Sequence, residues 1–394
     1  MIRLYTPAWW RATLALCLGS FLVFINLYVP QPLLPELHRT YDVSTLAVSF
    51  VMSAATLSLA AALLVFGPLS DAVGREGIMR YSLLLAGIGS IMLAFAPSFS
   101  ALLGLRLLQG FVLGGLPAVA IAWMADTFDK PALAGAVGLY IAANSLGGIS
   151  GRVVGGAAAD LGGASAAFIA VGCMTLAGSA VFWRLLPRSQ TFVPRPFHLR
   201  TAVVSLYQHL QTPVLVGAYV LGGINFMVFI NQYSYITFRL SQAPYGLAAS
   251  SLGLLFLTYL SGTAASMLSG RLAGRFTPAS CMIAGVAILC VGTAVTRADS
   301  LALIILGLVV NAFGFFLTHS LASAWVGRNA GHARGSASAL YLVFYYTGAS
   351  LGGFWLEPFW LWNGWAGVTL GSWVLFAVTF AIAAWLRVVE RRQR

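Results

Sequence analysis

The chain has 394 residues, 59% of them hydrophobic and only 8% charged, with a formal net charge of +12. A mean hydropathy of +0.87 and recurring apolar runs of about 18 residues or more, each long enough to cross a bilayer as a helix, exclude an ordinary soluble domain. Four cysteines, Cys17, Cys173, Cys281 and Cys290, lie within or beside apolar runs without close pairing, which excludes a disulfide framework and a zinc site.

In chain order, six spans are predicted near Thr13–Leu34, Thr45–Phe66, Tyr81–Phe95, Ala101–Trp123, Leu133–Gly156 and Ala164–Leu186. The first apolar run is longer than a signal-peptide core and no small-residue cleavage site follows it, so it reads as a membrane helix. The longest polar connection, from Pro187 to Thr212, falls at the midpoint of the chain and reads as a linker. Within it, Thr201–Leu210 has helical periodicity and basic neighbours that suit a membrane surface, although a solvated tether fits as well. Six more spans follow near Pro213–Tyr235, Ser250–Leu268, Ala279–Val295, Leu301–Trp325, Ser336–Trp355 and Ala366–Leu386. The expected fold is an all-α membrane protein of 12 helices in two pseudo-symmetric six-helix bundles, residues 1–186 and 213–394, joined by a linker at 187–212.

Placement of charge explains the basic balance. With the amino terminus in the cytoplasm, 17 of the 22 basic residues fall on that side, only Arg39, Arg239 and Arg297 fall outside, and Arg106 and Arg152 lie inside spans. This is the positive-inside pattern, with both termini cytoplasmic, and it makes the positive charge topological rather than a nucleic-acid footprint.

Internal repetition is visible in the fifth and eleventh spans. Tyr140, Ser145, Leu146, Gly147 and Gly148 align without gaps on Tyr345, Ser350, Leu351, Gly352 and Gly353, at a constant offset of 205 that also brings Arg152 onto Glu357. Opposite charges at equivalent places fit a gate pair near the outer face; two independent residues snorkelling to the interface fit equally. Between the second and third spans, Gly67-Pro68-Leu69-Ser70-Asp71-Ala72-Val73-Gly74-Arg75 reads as a Gly-rich charged turn, and Gly270-Arg271-Leu272-Ala273-Gly274-Arg275 partly echoes it in the second half. Glycines there allow a tight turn, Asp71 can face the positive end of a helix dipole, and Arg75 can pair with Asp126 at the end of the fourth span. A merely topogenic loop is the alternative reading. Gly147, Gly151 and Gly155 recur at four-residue spacing, with Gly156 beside them, and read first as small-residue helix packing.

These segments carry a family resemblance. Gly67 to Arg75 resembles the loop between helices two and three of the major facilitator superfamily, G-x-L-x-D-R-x-G-R, with Ala72 in place of the usual arginine. Arg106-Leu107-Leu108-Gln109-Gly110 resembles the family's fourth-helix R-x-x-Q-G motif. Gly147, Gly151, Gly155 and Gly156 resemble its fifth-helix antiporter motif, G-x-x-x-G-P-x-x-G-G, with Arg152 at the proline position. The resemblance covers essentially the whole chain and implies the major facilitator fold, alternating access between the two halves, and a cytoplasmic latch built on Asp71, Arg75 and Asp126.

Intramembrane polar residues complete the reading. All ten acidic residues fall in loops or near span ends, which disfavours an organic cation as solute. Arg106 has two readings, proton coupling or solute contact by the resemblance, and a structural bond to neighbouring carbonyls. Arg152, nearer the outer boundary, reads as gating or structure. His319 stands inside the tenth span, where an imidazole suits proton exchange or static packing. The resemblance places Asn26, Gln109, Tyr140, Asn144, Asn225, Phe229, Asn311, Phe315, Tyr345 and Tyr346 on helices that line the family's cavity, and amides, phenols and rings there suit an amphipathic organic solute.

The expected function is a bacterial inner-membrane secondary transporter, acting as a monomer, that exports drugs, sugars or metabolites in exchange for protons. The alternative is proton-coupled import of an organic anion. No H-E-x-x-H, G-x-S-x-G, paired metal-ligand motif or P-loop is found, so neither enzymatic chemistry, a cofactor, a metal nor ATP drive is expected.

Overall fold

In the computed structural model, which describes residues 2–187, 199–331 and 334–393, the chain is a succession of helices. The first unit contains α1 (Pro7–Tyr28), α2 (Leu34–Tyr41), α3 (Thr45–Val73), α4 (Arg75–Ala94), α5 (Phe99–Leu113), α6 (Gly115–Thr127) and α7 (Lys130–Leu185). The second contains α8 (Leu199–Leu210), α9 (Pro213–Ser241), α11 (Tyr259–Arg275), α12 (Pro278–Val295), α13 (Leu301–Asn329) and α14 (Arg334–Gln393), whereas the short α10 (Ala249–Leu254) clusters with the first unit.

Local chemistry sets the helix starts. Thr6 accepts from the Trp9 amide at 3.2 Å and is followed by Pro7 at the first helical position. Ser44, Ser98, Asp129 and Thr277 cap α3, α5, α7 and α12 in the same way, each satisfying one of the orphan amides of a first turn. Proline at the start of α9 and α12 supplies a ready-made φ where no amide is needed.

Among the described residues, ten helical stretches are long and apolar enough to cross a membrane, and two of them run for 55 and 58 residues. A helix of that length would be about 80 Å long, far more than one bilayer thickness. Each breaks once, at Gly162–Gly163 and at Asn363–Gly364, so each serves as two spans. Gly163 has φ 70°, a left-handed conformation that needs glycine, and the Glu36 carboxylate caps the helix that restarts after it by accepting from the Ala164 amide at 2.7 Å.

The segment from Gly67 to Arg75 differs from the expected turn. Helix α3 continues to Val73 with Pro68 inside it, Gly67 lies in open space on that helix, and the change of direction falls on Gly74 alone, at φ 93°. A proline tolerates a helix interior where the freed carbonyl is otherwise satisfied, and in an apolar medium the backbone keeps its internal bonds as long as it can. The echo at Gly270 and Gly274 likewise lies within α11, with open space around both glycines.

Both units expose large apolar side chains and hold a set of polar side chains inside an otherwise apolar core. Leu108, Leu161, Met267, Leu361 and Trp362 are exposed, whereas Asn26, Arg106, Gln109, Arg152, Gln232 and Asn311 are buried. That distribution suits lipid, which solvates leucine and cannot hydrogen-bond an amide. The two units also repeat their packing: α1 lies chiefly against α7, and α9 chiefly against α14.

Candidate functional site

The glycine stripe of α7 shows how α1 is positioned. A Cβ added at Gly147 would meet the backbone of Phe21, at Gly151 that of Ile25, and at Gly155 the side chain and backbone of Val29. Successive turns of α7 therefore ride directly on successive turns of α1, as small-xxx-small contacts allow. Gly156 instead faces the Ala249 carbonyl of α10.

This close approach brings polar side chains together in the first unit. Arg106 on α5 is fully buried, donating Nε to Val51 O at 3.0 Å, Nη1 to Asn26 O at 3.2 Å and to Gln109 Oε1 at 2.6 Å, and Nη2 to Leu27 O at 2.9 Å. Gln109 then donates to Ser90 Oγ at 2.8 Å and Ala86 O at 3.3 Å, and Asn26 donates to Leu22 O and Thr175 Oγ1, both at 2.7 Å. The Ser90 hydroxyl closes the ring by donating to Asn26 Oδ1. The guanidinium fork thus ties α1, α3 and α5 together through carbonyls, and no carboxylate is among its partners. Beside this network, Tyr140 is buried on α7 and the Ser20 hydroxyl donates to Asn144 Oδ1.

An equivalent network lies in the second unit. Asn311 on α13 donates to Gln232 Oε1 on α9 and to Thr293 Oγ1 on α12, both at 2.9 Å, and Gln232 Nε2 donates to Thr293 at 3.1 Å. The three helices correspond in order to those carrying Asn26, Ser90 and Gln109, so both repeats place an amide–hydroxyl–amide set at the same point. Ser90, Thr175, Gln232 and Thr293 were not singled out from sequence, since one hydroxyl or amide inside an apolar run has no distinguishing spacing.

Further along α7, Arg152 donates Nε to Gln31 Oε1 at 2.8 Å and Nη1 to Gly148 O at 2.7 Å, with its guanidinium 4.0 Å over the Tyr28 ring. Glu357, in its own unit, accepts from the Tyr235 hydroxyl at 2.7 Å. At the junction of α3 and α4, Arg75 donates to the Asp126 carboxylate and to Ala122 O at 3.2 Å, while Glu76 accepts from Trp123 Nε1 at 2.8 Å. The Asp71 side chain lies outside the described ones.

The second unit also holds a run of stacked rings. Phe229 stacks on Phe315 at 3.9 Å and 4°, and Phe226 stacks on Tyr345 at 3.7 Å and 9°. Tyr346 meets Tyr345 edge-on at 5.3 Å. His319 packs against Phe315 at 5.9 Å and Tyr345 at 4.7 Å, and its Nδ1 lies 2.8 Å from the Tyr341 hydroxyl. Asn225 lies on the same helix as Phe226 and Phe229, 2% exposed, with no partner for either amide atom among the described residues. Phe226 and Tyr341 are further members that sequence spacing alone did not mark.

Polar networks buried inside apolar helices, repeated in two halves, define a duplicated multi-span membrane protein of the architecture that secondary transporters use. Comparison with known proteins makes this specific. The sequence profile of the Major Facilitator Superfamily matches residues 16–353. The MFS-type transporter YybF of Bacillus subtilis is 35% identical over 98% of this chain and 94% of its own length, and the inner membrane transport protein YnfM of Escherichia coli is 34% identical over 99% and 93%. The inward-facing crystal structure of a bacterial homologue of the human lysosomal transporter Spinster superposes with a TM-score of 0.74 at 17% identity, covering 97% of this chain and 96% of that one. The chain belongs to the major facilitator superfamily and is a multi-pass membrane transporter.

Proposed function

We propose that the protein is a bacterial inner-membrane antiporter that exports a small organic solute in exchange for protons, with both termini in the cytoplasm. The observation that carries this reading is the His319–Tyr341 contact at 2.8 Å, set against the rings of Phe315 and Tyr345. An imidazole can exchange a proton, and here it touches the ring cluster that would hold a solute, so protonation and occupancy act on the same side chains. The antiporter-like glycine run on α7 supports the direction of transport. Solute contacts are assigned to Tyr140 and Asn144 in the first unit and to Asn225, Phe229, Phe315, Tyr345 and Tyr346 in the second.

Asn26, Gln109 and Arg106 are assigned to a structural brace instead, because their donors and acceptors are taken up by one another and by backbone carbonyls. Asn311 is grouped with them as part of the second network. Import of an organic anion would need a guanidinium open to solute, and those of Arg106 and Arg152 are engaged within the first unit. Gating is assigned to Gly67, Asp71, Gly74, Arg75 and Asp126 at one end, and to Arg152 and Glu357 near the other.

The test is solute flux in proteoliposomes under an imposed pH gradient, for wild type and His319→Gln. Solute should move against the proton flow in wild type, and His319→Gln should keep binding while losing gradient-driven accumulation. Flux in the direction of the protons would replace antiport with symport, and undiminished accumulation by His319→Gln would remove the imidazole from coupling.

A further inference from the structure

We propose that the second unit reads its solute through the Asn225 carboxamide, and that the solute is an uncharged planar ring bearing an adjacent hydrogen-bond donor and acceptor, as in a lactam or ring carboxamide. This rests on the export reading above and names the chemical class of its solute.

Asn225 differs from the other buried amides of the membrane helices in degree: Asn311 lacks a partner only for Oδ1, and Asn225 for both amide atoms, among the described residues. Asn26, Gln109 and Gln232 each have both amide atoms engaged, in the two networks already described. Both atoms of Asn225 have none among the described residues, although the side chain is 98% buried, the complement of its 2% exposure. Leaving a carboxamide so is destabilising, and an apolar residue of the same size would be more stable there. A group that weakens the folded state in this way is accounted for by a ligand that completes it.

Its surroundings define that ligand. Gly222, Asn225, Phe226 and Phe229 recur at i, i+3, i+4 and i+7, so they share one face of α9. On that face Gly222 backs onto the Tyr341 ring, Phe226 stacks on Tyr345 and Phe229 stacks on Phe315. The carboxamide therefore shares its helix face with two near-parallel ring pairs. It presents one acceptor and two donors in a plane, and its two-point complement is a coplanar donor and acceptor, the same pairing by which amides read an adenine edge. A planar solute can replace one ring-to-ring stack with another of similar strength. The ring partners of Phe226, Phe229 and Phe315 are Phe, Tyr and His, an uncharged apolar surrounding in which a charged ring would lose hydration.

Binding to the full-length protein in lipid nanodiscs tests this with three probes: 2-quinolinone, which has adjacent N–H and C=O groups; N-methyl-2-quinolinone, which lacks the donor; and quinoline, which keeps only an acceptor. Wild type is expected to bind 2-quinolinone about 10-fold or more tightly than either of the others. Asn225→Leu should abolish that preference while its melting temperature stays unchanged or rises. Equal binding of the three probes, no binding up to their solubility limits, or a preference that survives in Asn225→Leu overturns the proposal. So does a marked fall in the melting temperature of Asn225→Leu, which would make the amide structural. Gradient-driven flux of other solutes without discrimination among the probes overturns this inference alone, whereas discrimination without any gradient-driven flux overturns the export reading alone.

Discussion

Arg106 shows how an expensive residue is accommodated in an apolar helix. Its fork meets three backbone carbonyls and the Gln109 amide, so one side chain spans α1, α3 and α5 without any carboxylate partner. Arg106→Met should leave the Val51, Asn26 and Leu27 carbonyls short of a donor and strand Gln109 Oε1, lowering stability by about 1–3 kcal/mol for the unsatisfied groups. Arg106→Lys should recover little of it, since an ammonium cannot reproduce the planar fork. Thermal unfolding in detergent checks both; a lysine variant as stable as wild type would show that charge rather than geometry matters. His319 is the opposite case, with a nitrogen directed at a single phenol and rings on either side, the kind of site where one proton changes a contact.

Among the elements, α7 carries the most information per residue. Its glycine stripe faces the α1 backbone, and at Gly151 an added Cβ would sit 2.9 Å from the Ile25 Cα. Gly151→Ala should therefore destabilise the protein or reduce its yield in the membrane. Gly138→Ala, in the same helix but in open space, should be neutral or slightly stabilising, because alanine is the better helix former. Comparing melting temperatures of the two variants separates packing from propensity; equal effects would mean that the stripe does not set the helix contact. The kinks are also chemically plain, since a Gly-Gly pair and an Asn-Gly pair are what a chain needs to leave one helix and enter the next. Less legible were the break at Gly114 between α5 and α6 and the short turn at Gln31–Leu33, where the hydropathy pattern continues across a change in backbone geometry.

For the whole molecule, the charge asymmetry predicts orientation. A green fluorescent protein fused after Arg394 should fluoresce and an alkaline phosphatase fused there should be inactive, as both report a cytoplasmic carboxyl terminus; the reverse pattern would invert the topology. Membrane spans, their two-fold repetition and the family were all readable from the sequence, because lipid imposes length and apolarity on each helix separately and a motif is a matter of neighbours along the chain. The long charged turn expected at Gly67–Arg75 contracted to Gly74, since continuing a helix into the interface satisfies its backbone better than opening it early. What the amino-acid sequence determined by itself was therefore the class of protein, the order of its membrane spans and part of the set of polar residues inside them. Only the tertiary structure decided which of those residues face one another: that Asn26, Arg106 and Gln109 satisfy each other, that Gln232 and Thr293 repeat the arrangement, and that Asn225 has no partner among the described residues. Hydropathy is summed along a helix, whereas hydrogen bonding depends on which faces meet, and residues such as Asn26 and Thr175, 149 positions apart, acquire a relationship only through that packing.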